Sequence, residues 1–185
     1  DVLAGRKHKA SLPGRCKTWV KQLFAGQLGL TFLLAVTCGL TVGRPLDINE
    51  GWDAATRAGR RQLTAELEGE DPFFIVITQP CGPWGNWSRF NLGVGGDKAA
   101  TVLEARTEAR KTLPTIAAAV VDRVNRRRHV LLEQSLGSAV YEEPEMQPVK
   151  DLVEQGLLHD VRADGCALGY CDAESGLPHK PKRFL

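Results

Sequence analysis

An open α/β sheet, mostly parallel, is the fold class this sequence predicts, and three observations predict it. Residues 73–77, FFIVI, are apolar, aromatic or β-branched and carry no charge. A strand buried on both faces reads that way. The run stops in Thr78-Gln79-Pro80-Cys81-Gly82-Pro83, where prolines cannot continue a ladder and glycine relaxes the backbone. Residues 18–47 then read as strand, glycine turn, helix, strand and acid, an alternation that builds parallel sheets. Ligands of open α/β sheets bind outside the carboxyl ends of the strands, so Cys81 stands at the edge to watch. It reads either as a buried small apolar residue or as a nucleophile presented on a rigid turn.

The elements follow in order. Residues 1–17 are polar and basic with Gly5, Pro13 and Gly14, and read as a flexible basic arm; residues 18–185 read as one domain. TWVKQLF, 18–24, is a first strand, and 25–29 a glycine turn. LTFLLAVTC, 30–38, is expected as a buried helix that stops at Gly39, and 40–46 as the next strand, leading to Asp47. The uncharged stretch 23–42 is long enough to span a bilayer, but its three glycines and Gln27 suit a strand, a turn and a helix better. Asp47 follows the glycine turn by about twenty residues, the spacing of a ribose-binding acid; an ordinary helix cap has the same spacing.

Residues 53–68 alternate in charge and read as an exposed helix, broken before the central strand by Gly69 to Pro72. The glycine-rich 91–96 reads as a mobile loop. Asp97 caps a long helix that reaches Arg128, with a break at Pro114. HVLL, 129–132, is a strand that ends at Glu133, which puts a carboxylate on the same edge as Cys81. Residues 148–158 form an amphipathic helix with Val149, Leu152 and Val153 inward, and 160–167 a late strand. His159, Cys166, Cys171 and His179 lack the spacing of a zinc site.

Net charge is +2, so no strong overall field points to nucleic acid. The basic clusters 6–21 and 123–128 remain candidates for phosphate contact. Five cysteines in no regular framework suit a reducing, intracellular compartment. The chain opens at Asp1 and its single methionine is Met146, which reads as a piece of a longer polypeptide.

Taken together, Phe24-Ala25-Gly26, Asp47, Pro80-Cys81 and Glu133 resemble the cytosine-5 DNA methyltransferases in residue type and order. The resemblance implies a Rossmann-like sheet of the S-adenosylmethionine-dependent type. Phe24, Ala25, Gly26, Asp47, Asp53 and Pro80 would belong to the cofactor site. Cys81 would be the nucleophile that adds to the pyrimidine ring, and Glu133 would hold and protonate the base. A target inside a duplex would be flipped out, with Trp84 and Trp87 lining its pocket. DNA rather than RNA, and the nucleus, are implied.

A wider resemblance runs from about Val20 to Leu185. Gln79-Pro80-Cys81, Leu132-Glu133-Gln134, Asp164 to Gly169 and Lys180 to Phe184 resemble degenerate methyltransferase-like domains of retrotransposon-type polyproteins in protists, notably dinoflagellates. Gln134-Ser135 stands where the family has Asn-Val, and Arg126 to Arg128 precede Glu133 instead of following it. No length remains after Phe184 for a target-recognition domain. These departures imply a truncated domain, and a second expectation beside catalysis: a non-catalytic, nucleic-acid-associated domain.

Overall fold

In the computed structural model, residues 16–26, 29–163 and 182–185 are described. The central apolar run forms β2, Phe74–Ile77. On one side it pairs in parallel with β1, Val20–Leu23, and on the other in parallel with β3, His129–Ser135. Ile75, Val76 and Ile77 are buried, as a strand covered on both faces requires. Beyond β3 the sheet turns antiparallel: β5, Lys182–Phe184, lies between β3 and β4, Val161–Ala163. The order is β1-β2-β3-β5-β4, an open mixed sheet. Outside β1, the segment 42–46 runs parallel through bridges at Val42 and Leu46 without becoming a full strand.

Six α-helices accompany the sheet among the described residues. They are α1, Gly29–Val36, α2, Arg57–Glu70, α3, Asn86–Val94, α4, Gly96–Arg110, α5, Leu113–Asn125, and α6, Gln147–Glu154. The long helix expected over 97–128 is divided at Lys111 and Thr112, because Pro114 can occupy only the first turn of a new helix. Val149 and Leu152 of α6 face inward as the amphipathic pattern requires. The core joins Leu23, Leu46, Ile75, Ile77 and Leu132 of the sheet region to Leu63 and Leu67 of α2 and Ile116 and Val120 of α5.

Four expectations are corrected. The helix after the glycine turn is not buried: Phe32, Leu33 and Val36 are exposed. A helix apolar on every side can hide only the side that rests on β1, to which Thr31 Oγ1 ties it by donating to Gln22 Oε1. The 91–96 loop is helical as far as Val94, and Gly95 and Gly96, both left-handed, make the break. Asp97 lies inside the first turn of α4, whose cap is Gly95. The strand HVLL extends to Ser135, because Glu133, Gln134 and Ser135 pair with β5. No helix among the described residues is long and apolar enough to cross a membrane. Cys166, Cys171, His179 and the motif from Asp164 to Gly169 lie outside the described residues, as does the arm up to residue 15. Lys17, assigned to that arm, already donates its amide to Glu70 O at 2.9 Å.

Charges lock the amino edge of the sheet. Arg123 is wholly buried in α5 and is paired to Asp71 at 3.0 Å and to Asp122. Arg128 closes on the same Asp71 carboxylate. The Arg128 hydrogen bond, helped by Arg123, holds the Asp71 carboxyl below its usual value despite burial. Asp71 is also the left-handed residue that ends α2. The sequence suggests 123–128 as a phosphate contact, yet Arg123, Arg126 and Arg128 are all engaged by internal carboxylates.

Asp71→Ala is expected to destabilise the fold by about 3 kcal/mol, because a buried guanidinium loses a partner. Arg126→Ala, at an exposed helical pair, should cost under about 0.5 kcal/mol. Urea denaturation at neutral pH compares the two. The contribution of Asp71 is in place above the unfolded carboxylate value of about 4 and is lost as pH falls through its lower folded value. Asp71→Asn should therefore flatten that acid limb.

Candidate functional site

The carboxyl edge of the parallel strands is assembled mainly by main-chain ties. Leu46 N–H donates to Gln22 O at 3.0 Å and Phe24 N–H donates to Leu46 O at 2.7 Å. This carries the 42–46 segment along β1 and delivers Asp47 beside the turn that leaves β1. In that turn Phe24 has φ +58° and Gly26 φ +55°. A left-handed phenylalanine is unusual. Thr78 Oγ1 holds it by donating to Phe24 O at 2.7 Å, and its ring meets Trp52 edge-on at 5.3 Å between centroids.

Asp47 is the tie between the two loops. Its Oδ2 accepts the Gly26 N–H at 2.9 Å and its Oδ1 accepts the Asn49 N–H at 3.0 Å. The acid is 6% exposed and caps the short 3-10 turn Ile48–Glu50. Gly26 and Asp47, both singled out by the sequence, are thus in direct contact, and the cap and the glycine-turn partner are one residue. Ala25 of the turn is buried, and a Cβ built on Gly26 would meet no atom of the described residues within 4 Å. Asp53 stands apart from this contact, and its Oδ1 accepts the Ala55 N–H at 2.9 Å. The following Thr56 caps α2 by accepting the Gly59 N–H.

Cys81 lies beyond the end of β2, half-buried, with exposed Pro80 before it. It begins the 3-10 turn Gly82–Trp84, in which Trp84 N–H donates to Cys81 O at 3.1 Å. Two helices secure the turn. Ser88 of α3 donates to Gly82 O at 2.6 Å and Arg106 Nε of α4 donates to Pro83 O at 3.0 Å. Trp84 is fully buried, with the Arg106 and Arg110 guanidiniums over its ring at 5.1 and 5.9 Å. It is therefore part of the core rather than a pocket wall, while Trp87 is 72% exposed on α3. Arg89, near Cys81 in sequence, pairs with Glu142 at 2.6 Å.

Glu133 is half-buried inside β3, opposite Phe184. Because Ile77 pairs with Leu132 in parallel, Glu133 follows one residue after that pair, on the edge where Cys81 also lies. A connection that the sequence does not reveal joins the two strand ends. Gln134 Nε2 donates to Gln79 O at 3.0 Å, and Ser138 Oγ donates to Gln134 Oε1 at 3.1 Å. All three residues are buried. Their signal is faint: polar residues on either side of a strand end, with nothing in their spacing to show that they meet. Thr78 is hidden in the same way.

The edge thus brings together a strained glycine turn, a shielded carboxylate, a half-buried thiol and a second carboxylate. Main-chain and side-chain hydrogen bonds fix the first three, and pairing with β5 fixes the backbone of the fourth. This arrangement can admit a ligand close to backbone at Gly26 and offer a nucleophile from the neighbouring loop.

Gln134→Ala is expected to destabilise the chain by about 1–3 kcal/mol, since the Gln79 carbonyl and the Ser138 hydroxyl both lose a buried partner. Alkylation of Cys81 by iodoacetamide should speed up as the loop loosens. Chemical denaturation and timed mass spectrometry measure the two effects.

No protein-family model matches this chain, and no curated protein matches it.

Proposed function

We propose that this chain is an S-adenosylmethionine-dependent methyltransferase-like domain of the cytosine-5 DNA type, with a Rossmann-like sheet. The observation that carries the proposal is the 2.9 Å contact between the Gly26 amide and the Asp47 carboxylate. It joins the glycine turn after one strand to the acid after its parallel neighbour, on the edge that also bears Cys81. Ligands of open α/β sheets favour that edge.

Two observations support a cofactor at this turn. Nothing crowds a Cβ position at Gly26, so a ligand can approach the backbone. A carboxylate has about four lone-pair positions, and two of those on Asp47 are taken. Phe24 to Gly26 and Asp47 would hold the cofactor, whose chemistry is to supply an electrophilic methyl group. The Cys81 thiolate would add to the pyrimidine carbon beside the one to be methylated, and loss of the proton from the methylated carbon would then restore the ring double bond and expel the thiolate. Glu133 would hold the base edge and protonate a ring nitrogen, which makes the ring more open to that addition.

A second reading has its own support. Asp47 is shielded and already binds two amides, and Trp84 is sealed in the core. A fold can persist without its chemistry, as a non-catalytic nucleic-acid-associated domain of a retrotransposon-type polyprotein would illustrate.

Calorimetric titration with S-adenosylmethionine and its demethylated product tests the proposal. Binding is expected, and Asp47→Ala should weaken it by about tenfold or more, as loss of a charge-assisted hydrogen bond implies. Cys81→Ser should leave binding intact and abolish methyl transfer to a cytosine-containing duplex. No heat with either ligand, or transfer undiminished in Cys81→Ser, would overturn it. Binding without transfer in the unmodified chain would select the second reading.

A further inference from the structure

The charges of α2 run against its own helix dipole. Its first turns carry Arg57, Arg60 and Arg61 with no acid, and its last turns carry Glu66, Glu68 and Glu70 with no base. Cations at a helix N-terminus and anions at its C-terminus are both destabilising, as are like charges spaced three and four apart. Part of this pattern has a structural cause. Buried Lys21 of β1 binds Glu66 at 2.6 Å and Glu70 at 3.1 Å, so two acids are drawn to the sheet side. The arginines have no such cause.

All three are exposed, and no carboxylate among the described residues pairs with any of them. Arg60 Nη1 donates to Ala55 O at 3.1 Å, a tie to main chain rather than to an acid. Elsewhere, Arg89, Arg110, Arg123, Arg126, Arg128 and Arg183 each hold a carboxylate, while Arg44, Arg106, Arg127 and Arg162 pair with none among the described residues but are scattered singly rather than grouped on one helix face. Spaced at i, i+3 and i+4, the α2 arginines share one helix face. Thr64 and Ala65 continue the shallow groove beside them, and exposed Glu68 closes its far end. Functional surfaces are where local rules are broken without a stabilising return.

The position of this patch matters. Trp52 Nε1 donates to Gly59 O at 2.9 Å, and the Trp52 ring touches Phe24. The basic turn of α2 is therefore one side chain away from the glycine turn, on the edge that carries Cys81.

We infer that Arg57, Arg60 and Arg61 form a docking surface for the sugar–phosphate backbone of duplex DNA, beside the carboxyl-edge site. Arginine presents a charged fork suited to phosphate oxygens. The inference rests on the nucleic-acid half of the proposed function and is independent of cofactor binding.

The test is fluorescence anisotropy with a labelled duplex over a salt series, using the unmodified chain, R57A/R60A/R61A and R57K/R60K/R61K. The alanine triple should bind at least about tenfold more weakly near 0.1 M salt, and its log–log salt slope should shrink by about 2–3, near 0.9 per lost contact. The lysine triple should keep most of the affinity. Arg162→Ala, at an exposed position on β4, should change little. The melting temperature of the alanine triple should hold or rise, because repulsion is relieved and alanine favours helix. An alanine triple with unchanged affinity and slope would overturn the inference. So would a fall in its melting temperature, or an unmodified chain with no affinity for the duplex. Each of these leaves the S-adenosylmethionine titration free to succeed or fail by itself.

Discussion

Parallel hydrogen bonding of β2 on both sides is the constraint on which the rest of the structure depends. Val20 faces Phe74 and Phe74 faces His129, and the three strands advance in step to Leu23, Ile77 and Leu132. Parallel neighbours must send their following loops out of one edge. The glycine turn, the Cys81 turn and the Glu133 region therefore share that edge by topology, before any side chain acts. The burial of Leu23, Ile77 and Leu132 just inside it makes a slip of register costly, since one step would turn these side chains to the other face.

Charge is divided between the two ends of this sheet. On the amino side, Arg123 and Arg128 meet Asp71, so the end of α2, the end of α5 and the entrances to β2 and β3 are pinned at one carboxylate. Lys21 in β1 directs its three donors to Glu66, Glu70 and Arg44 O. The carboxyl edge combines neutral ties through Thr78, Gln79, Gln134 and Ser138 with charged groups bonded to main chain, Asp47 to two amides and Arg106 to the Pro83 carbonyl. Neutral hydrogen bonds contribute less each than charged ones. The amino end is thus closed by side-chain ion pairs, and the carboxyl edge by side chains that bind main chain.

How far the sequence reveals this depends on the range of each signal. FFIVI shows its burial because the pattern lies within the strand itself. The glycine turn and Asp47 are legible as a pair because a strand–helix–strand unit fixes their separation in sequence. Pro114 announces its own break. The extension of β3 to Ser135 is not legible, because it depends on β5, nearly fifty residues later. Nor is the exposure of Phe32 and Leu33, since apolar composition does not tell whether anything covers a face. The Asp71 cluster is hidden for a similar reason. Arg123 and Arg128 look like a solvated basic end until the fold brings a carboxylate from α2 beneath them.

Asp47 carries two duties in the proposed reading, and they need not compete. The left-handed Phe24 is a sparsely populated conformation, and the Asp47 bond to the nearby Gly26 N–H is one of the interactions that hold its turn. A ribose hydroxyl would need an acceptor on the same carboxylate, which has about four lone-pair positions and gives two of them to the Gly26 and Asn49 amides. The carboxylate that shapes the turn is then the one that would bind what the turn admits. Ligand affinity and turn geometry become coupled through one side chain, so a bound hydroxyl would tighten the acid that already orders the glycine turn. Gly59 reinforces this from the far side: any Cβ there would strike the Asp53 carbonyl, so the chain after Asp47 can pack close enough for Trp52 to brace Phe24.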